Sequence, residues 1–370
     1  MLKKVEITNF KNFNEKFTFD LSDTNNFEFN KECIQDGIVN TGVIYGHNGC
    51  GKSNLGLAIF DLVWHVTDKY FKAEKYHNYL NANSTEQKAT FKFTFLFGNN
   101  IVEYQYTKSD IQTLITEELK INNEPFLFID KNNNTTFITT AKGAENLNKE
   151  LGDSKISIIA YISKNTILED NSINNVFKDF ENFIHNMLFF KTLDERYYIG
   201  YEEGMHNIQH QIIEEDNLTK LQELLNKVGI DCTLKSKDID GKFKIFFVFK
   251  NKEIEFDTIA SSGTKALVGF YFWYQKMKNE KGIKFVFIDE FDAFYHHDLS
   301  AVIIEMLREI TNTQIILTTH NTSNISNDIL RPDCYFIMDN QKITSLKERT
   351  HKELREAHNI EKMYRAGSFE

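Results

Sequence analysis

Apolar and polar positions alternate from the start of the chain. In "KKVEITNFKNF" Val5 and Ile7 alternate, and Phe10 follows the turn-prone Asn9, which predicts a strand and a turn. "FTFDL", residues 17–21, keeps strand character, and "TGVIYG" is a short apolar strand that runs into the glycine-rich "GHNGCGKSN", residues 46–54. Beyond it Leu55, Ala58, Ile59, Leu62, Val63 and Val66 recur at helical spacing. A period of two returns in "FKFTFLFG", which sets Phe91, Phe93, Phe95 and Phe97 on one face. After "GNN" it continues in "IVEYQYT" through Val102, Tyr104 and Tyr106, so a hairpin with aromatic cross-strand pairs is predicted. Such a ladder can stack nucleic-acid bases; packing a sheet onto a core is the commoner use.

The middle of the chain turns helical. "VFKDFENFIHNMLFF", residues 176–190, carries Val176, Phe177, Phe180, Phe183, Ile184, Met187 and Leu188 on one stripe, and "LTKLQELLNKVGI", residues 218–230, reads as a second amphipathic helix. Strands are predicted at 243–250 and 253–259, joined by a tight turn at Asn251 and Lys252. The last third alternates: a helix over 264–279, the strand "IKFVFIDE", a helix over 299–310, the strand "TQIILTT", and strands near 334–338 and 342–346. Short buried strands alternating with helices predict an α/β fold with a parallel-sheet core. There is no sustained heptad, internal repeat or low-complexity linker.

Composition narrows the partners. The 370 residues are 41% hydrophobic and 26% charged, as in a globular protein, with a net charge of −10. A nucleic-acid coat would be basic, so any DNA binding is local or borrowed from a partner. Lys235, Lys237, Lys242, Lys244 and Lys250 form one candidate basic surface, for which a solvated sheet face is the plainer reading. Cys33, Cys50, Cys232 and Cys334 are far apart and fit neither a zinc site nor a disulfide framework. Free thiols, the absence of a signal-peptide core at "MLKKVEITNF", and the absence of a long apolar run lead us to expect a cytoplasmic protein with no membrane contact.

Four stretches carry chemistry. Gly46, Gly51, Lys52 and Ser53 fill G-x-x-x-x-G-K-[ST] between a strand and a helix. The glycines let backbone N–H groups converge on a β-phosphate, Lys52 reaches the β- and γ-phosphates, and the Ser53 hydroxyl ligates Mg²⁺. With Asn48, Gly49, Cys50 and Asn54, these residues are the expected nucleotide-phosphate cradle. "KFVFIDEFD" is an apolar strand ending in Asp289, expected to hold Mg²⁺ through water, and Glu290, expected to orient and deprotonate the attacking water. "QIILTTHN" ends a strand in Thr318, Thr319 and His320, where a γ-phosphate sensor could sit. "ASSGTKAL", residues 260–267, places Ser261, Ser262 and Gly263 at a helix start, either as an N-cap or as a second anion site.

The order phosphate loop, long insertion, "SSGT", "FIDEFD", "TTH" resembles an ABC-type ATPase head of the SMC/RecF/OLD group, over roughly residues 1–60 and 255–346. The resemblance implies an ABC-ATPase-type P-loop fold with a mixed N-terminal β region, a parallel-sheet core and an inserted, mostly helical lobe. We accordingly divide the chain into an N-terminal ATPase lobe (1–170), a helical insertion (171–235), a C-terminal ATPase lobe (236–350) and a tail (351–370). It further implies that Lys11 and Asn12 approach the nucleotide and that Ser261 and Gly263 cap the γ-phosphate bound to a second copy. Asp292 is implied to lie in a dimer-contacting loop, His296 at an "LHP"-like position, and His320 as the switch histidine. The cofactors would be ATP and Mg²⁺, and the assembly a homodimer or higher oligomer that sandwiches two ATP molecules.

This sequence departs from the family pattern at Ala260, where leucine is usual, at Ser262, and at Tyr295-His296-His297. The glutamine-loop residue is left open between Gln87 and Asn165. The insertion is too long for a transporter head and lacks coiled-coil arms, and the stretch after "TTH" leaves no room for a C-terminal nuclease of the OLD kind. The ending "ELREAHNIEKMYRAGSFE" is similar to small stand-alone SMC-like ATPases of bacteria. From this follows the expectation of a switch for a separate effector, a nuclease or toxin, in defence against phage. A RecF-like clamp on DNA and an ATP-dependent assembly scaffold are the alternatives, and the intact Glu290 speaks against the scaffold.

Overall fold

Two seven-stranded sheets organise the chain in the computed structural model, which describes all residues except 68, 70–72, 152–154, 193–197, 201–207, 216, 341 and 370. The first sheet is antiparallel throughout, in the order Asn134–Thr139, Glu124–Asp130, Leu114–Ile121, Asn100–Lys108, Ala89–Phe97, Leu2–Thr8, Phe17–Asp20. Its central hairpin sets Phe91 opposite Tyr106 and Phe93 opposite Tyr104. These four rings are fully buried, so the aromatic ladder is core.

The second sheet runs Tyr198–Gly200, Met187–Lys191, Phe285–Asp289, Gln314–Thr319, Thr41–Tyr45, Tyr335–Met338, Ile343–Ser345. Its five inner strands are parallel and its two edge strands antiparallel. Buried from both faces, the inner strands read as continuous apolar runs rather than alternating ones. The buried Gln314 bridges the sheets: its Oε1 accepts from the Leu2 N–H at 2.9 Å, and its Nε2 donates to the Leu2 and Val39 carbonyls.

The helix Lys52–Val66 packs between the two sheets. Phe60 meets Phe189 of the parallel sheet, while Asp61 accepts hydrogen bonds from Tyr79 and from Tyr106 of the antiparallel one. A Cβ on Gly56 would lie 2.5 Å from the Phe189 ring, so glycine sets how closely the helix approaches the strands. Being covered on both sides, the helix buries Leu57, Phe60 and Asp61 as well as the predicted stripe.

Two predicted elements divide. The stripe over 176–190 is a helix only at Ser172–His185; Met187–Lys191 is a strand parallel to Phe285–Asp289. The chain leaves the helix at Asn186, whose carbonyl accepts from the Lys284 N–H at 2.8 Å. A short apolar run fits either period, and burial on both faces decides for the strand. The stretch 253–259 is a strand only at Glu253–Glu255. It then makes one helical turn, Phe256–Ile259, which brings the Phe256 ring against Phe247. The remaining helices and strands of the last third fall where the periodicity puts them: Ser262–Lys278, His297–Arg308, Tyr335–Met338 and Ile343–Ser345.

Candidate functional site

The parallel strands Thr41–Tyr45, Phe285–Asp289 and Gln314–Thr319 lie side by side and open at one edge into Gly46, Glu290 and His320. Open parallel sheets hold ligands at this edge. Gly51 caps the helix Lys52–Val66 at φ +103°, where no side chain can substitute freely, and a Cβ there would collide with the Asn12 amide at 2.3 Å. Gly51 contributes no capping side chain, so the first N–H groups of the helix stay open to an anion.

Lys52 is buried, and its ammonium donates to the carbonyls of Gly46 at 2.7 Å and His47 at 3.2 Å. Burial pulls its pKa below the usual lysine range, although Asp289 and Glu290 oppose the shift. His320 places Nδ1 3.1 Å from the Lys52 Nζ and 2.9 Å from the Gly46 oxygen, and Nε2 3.7 Å from the Glu290 Oε1. Asn12 accepts from Asn54 at 2.7 Å and lies against the Cys50 carbonyl. Gly46, His47, Asn48 and His320 open onto a cavity of about 580 Å³ that Arg349, Tyr364 and Arg365 also line. Gly49 has open space around it.

Asp289 is fully buried. Its Oδ2 accepts from the Ser53 hydroxyl at 2.6 Å and its Oδ1 from the Thr318 hydroxyl at 2.6 Å. Glu290 has φ +53°, rare for a non-glycine residue, and its N–H donates to the Thr318 Oγ1 at 2.9 Å. Asp292 accepts from the Thr319 hydroxyl at 2.7 Å, and burial pushes its carboxyl above the usual aspartate range.

The structure thus gathers Gly46 to Asn54, Asn12, Asp289, Glu290, Asp292 and His320 in one place. Lys11 turns its ammonium to the His77 carbonyl at 2.9 Å. Ser261 caps its own helix, accepting from the Thr264 N–H at 3.1 Å. Ser261 and Ser262 are exposed, and Gly263 faces the carbonyl of Phe294. Among the described residues no hydrogen bond joins these three to the phosphate loop of the same chain. His296 is the N-cap residue of His297–Arg308. The two glutamine-loop candidates bond locally, Gln87 to the Thr85 carbonyl and Asn165 to the Tyr161 carbonyl. Beside Asp289 stands Lys191 instead, its Nζ 3.6 Å from Oδ2. The helical stripe over 176–190 hides Lys191; its signal in the sequence is a short apolar run, "MLFF", ending in a charge, as in "FVFID".

A magnesium ion fits this donor set. Ser53 would supply a direct hard oxygen and Asp289 an acceptor for a bound water, and a P-loop Mg²⁺ takes its remaining places from phosphate and water. Among the described residues no group of three His, Cys, Asp or Glu side chains forms a metal cluster of its own. Nor is any described helix long and apolar enough to cross a membrane. Three of the five lysines of the candidate basic surface are paired: Lys235 and Lys237 share Glu253, and Lys244 meets Glu255.

Comparison with solved structures shows the fold. A crystal structure of an SMC head bound to the C-winged helix domain of ScpA superposes with a TM-score of 0.51 at 15% identity, over 93% of this chain and 97% of that one. An SMC head domain from Thermotoga maritima aligns with a TM-score of 0.43 at 16% identity, over 93% and 98%. Among curated proteins, none matches the chain in sequence. The family described as "AAA domain, putative AbiEii toxin, Type IV TA system" matches residues 43–326, from the phosphate-loop strand to beyond His320. That span exceeds half of the 370 residues, and the chain, an SMC-like ABC-type ATPase head in fold, belongs to this family.

Proposed function

We propose that the protein binds ATP with Mg²⁺ at Gly46–Asn54 and hydrolyses it to ADP and phosphate. The observation that carries this reading is the convergence on one sheet edge of Ser53, Asp289, Lys52 and Glu290, with Ser53 and Asp289 in direct contact. Bound Mg²⁺ would neutralise charge on the phosphates, held by the Ser53 hydroxyl directly and by Asp289 through water. The uncapped helix start and the Lys52 ammonium receive the phosphate oxygens. Glu290 orients the attacking water and takes its proton, and His320, between Lys52 and Glu290, senses the γ-phosphate.

The site is completed by a second copy. Ser261 and Ser262 are exposed at the start of their helix, which they and Gly263 present to the nucleotide of a partner copy, with Asp292 in the dimer contact. Nucleotide binding closes the dimer, and hydrolysis opens it. The opening and closing dimer acts as a sensor or switch for a separate effector protein in defence against phage. The family description bears on this setting only in naming a type IV TA system. The paired lysines of the 234–255 sheet speak against a DNA clamp there. The test is phosphate release by the purified protein: Mg²⁺-dependent turnover that the K52A variant lacks supports the assignment, and equal turnover in wild type and K52A sinks it.

A further inference from the structure

We propose that Thr318 is the positioning residue that holds Asp289 and Glu290 in working geometry. The inference rests on the assignment of those two carboxylates given above.

Thr318 is fully buried on the strand Gln314–Thr319, which runs parallel to Phe285–Asp289 with Leu317 opposite Ile288. One hydroxyl has one proton to give and lone pairs to accept with, and Thr318 uses both. It donates to the Asp289 Oδ1 at 2.6 Å and accepts from the Glu290 N–H at 2.9 Å. Its backbone carbonyl accepts from the Phe291 N–H at 3.1 Å. Three successive residues are therefore bonded to this one threonine.

The middle residue needs the support. Glu290 sits at φ +53°, a conformation that non-glycine side chains rarely hold unless the surroundings fix it. Without the hydroxyl, the Glu290 N–H loses its acceptor and the backbone is freer to relax out of the left-handed region, swinging the carboxylate away from His320. Asp289 would lose the donor that orients Oδ1, leaving Ser53 on Oδ2. Thr319 repeats the device one residue on: its hydroxyl donates to Asp292 at 2.7 Å and accepts from the Asn321 N–H at 2.9 Å. The strand end that delivers His320 thus also sets the carboxylate segment 289–292.

Threonine suits the position because valine matches its shape without the hydroxyl, and serine keeps the hydroxyl without the methyl. The test compares T318V, T318S and E290Q in steady-state phosphate release and in binding of a fluorescent methylanthraniloyl-ADP. Loss of positioning should lower kcat of T318V by about 10–100-fold. KM and the ADP analogue's affinity should stay within about 3-fold, and T318S should recover kcat to within about 3-fold of wild type. T318A replaces T318V if the valine variant does not fold. The proposal is overturned if the hydroxyl-free variant keeps kcat within about 2-fold, if T318S falls as far as T318V, or if KM alone changes. E290Q separates the two levels: normal turnover in E290Q removes the carboxylate assignment itself, whereas loss in E290Q with full turnover in T318V removes only the role of Thr318.

Discussion

The hydroxyl of Ser53 donates to the Oδ2 of Asp289 across 2.6 Å, although 236 residues separate the two in the chain. One is the second residue of the helix after the phosphate loop, and the other ends a buried parallel strand. A carboxylate taken out of water needs donors, and Ser53 and Thr318 supply one to each oxygen; on the proposed function a shared Mg²⁺ is the reason the pair meets here.

S53A should therefore disturb the metal more than the nucleotide. We expect the Mg²⁺ concentration for half-maximal turnover to rise about 10-fold or more. Affinity for the ADP analogue in EDTA should stay close to wild type. A Mg²⁺ titration of phosphate release, with binding measured in parallel, checks both.

Lys191 supplies a second expectation. Its ammonium lies 3.6 Å from the buried Asp289 carboxylate. K191M should destabilise the metal-free protein by up to about 1 kcal/mol, because the buried carboxylate loses a nearby positive charge while keeping its bonds to Ser53 and Thr318. Adding Mg²⁺ should raise the melting temperature of K191M more than that of wild type. Thermal unfolding with EDTA and with Mg²⁺ measures the difference.

A composite site can be tested by mixing. Lys52 and Ser261 act on the same nucleotide only if they come from different copies. K52A and S261R should each be inactive alone, and mixing them should restore turnover, since the mixed dimer holds one site with both residues intact. A mixture as silent as its components would place the two residues outside a shared site.

The phosphate loop, the paired acids and the histidine were legible because each is a short motif whose flanking strand or helix is itself a strong pattern. The sequence could not show which side chains answer them across the sheet. Thr318 reads as one more strand residue until Asp289 is set beside it. Lys191 was hidden by the period of "HNMLFF", which serves a helix as well as a strand until burial on both faces is known. Glu117, fully buried, accepts from Ser157, Tyr104 and the Ile158 N–H. That network forms only once the antiparallel sheet and the helix Ile158–Asn165 meet, so local spacing carries no trace of it. The same holds for the buried pair Asp61 and Lys108, 2.8 Å apart.

This polar interior sets an acid limit on stability. Burial, with Lys108 nearby, holds His65 well below its ordinary value of 6.5. The unfolded chain takes up a proton below about pH 6.5 that the folded chain refuses, so stability falls as pH drops through that value, by up to about 1.4 kcal/mol per pH unit. Glu117 works the other way: burial raises its carboxyl above 4.5, so its contribution grows as pH falls. H65Q isolates the histidine. The gap in unfolding free energy between wild type and H65Q should narrow from pH 7.5 to 5.5, as urea midpoints would show; a constant gap would mean that His65 does not resist protonation.

The central claim is that Glu290 drives hydrolysis in a dimer closed by ATP. The most direct measurement is light scattering during size-exclusion chromatography of E290Q with ATP and Mg²⁺, alongside its phosphate release. The account predicts turnover reduced about 100-fold or more, with the chain eluting at twice its monomer mass or in multiples of that dimer only when ATP is present. E290Q that hydrolyses ATP at the wild-type rate, or that stays monomeric with ATP bound, would contradict it.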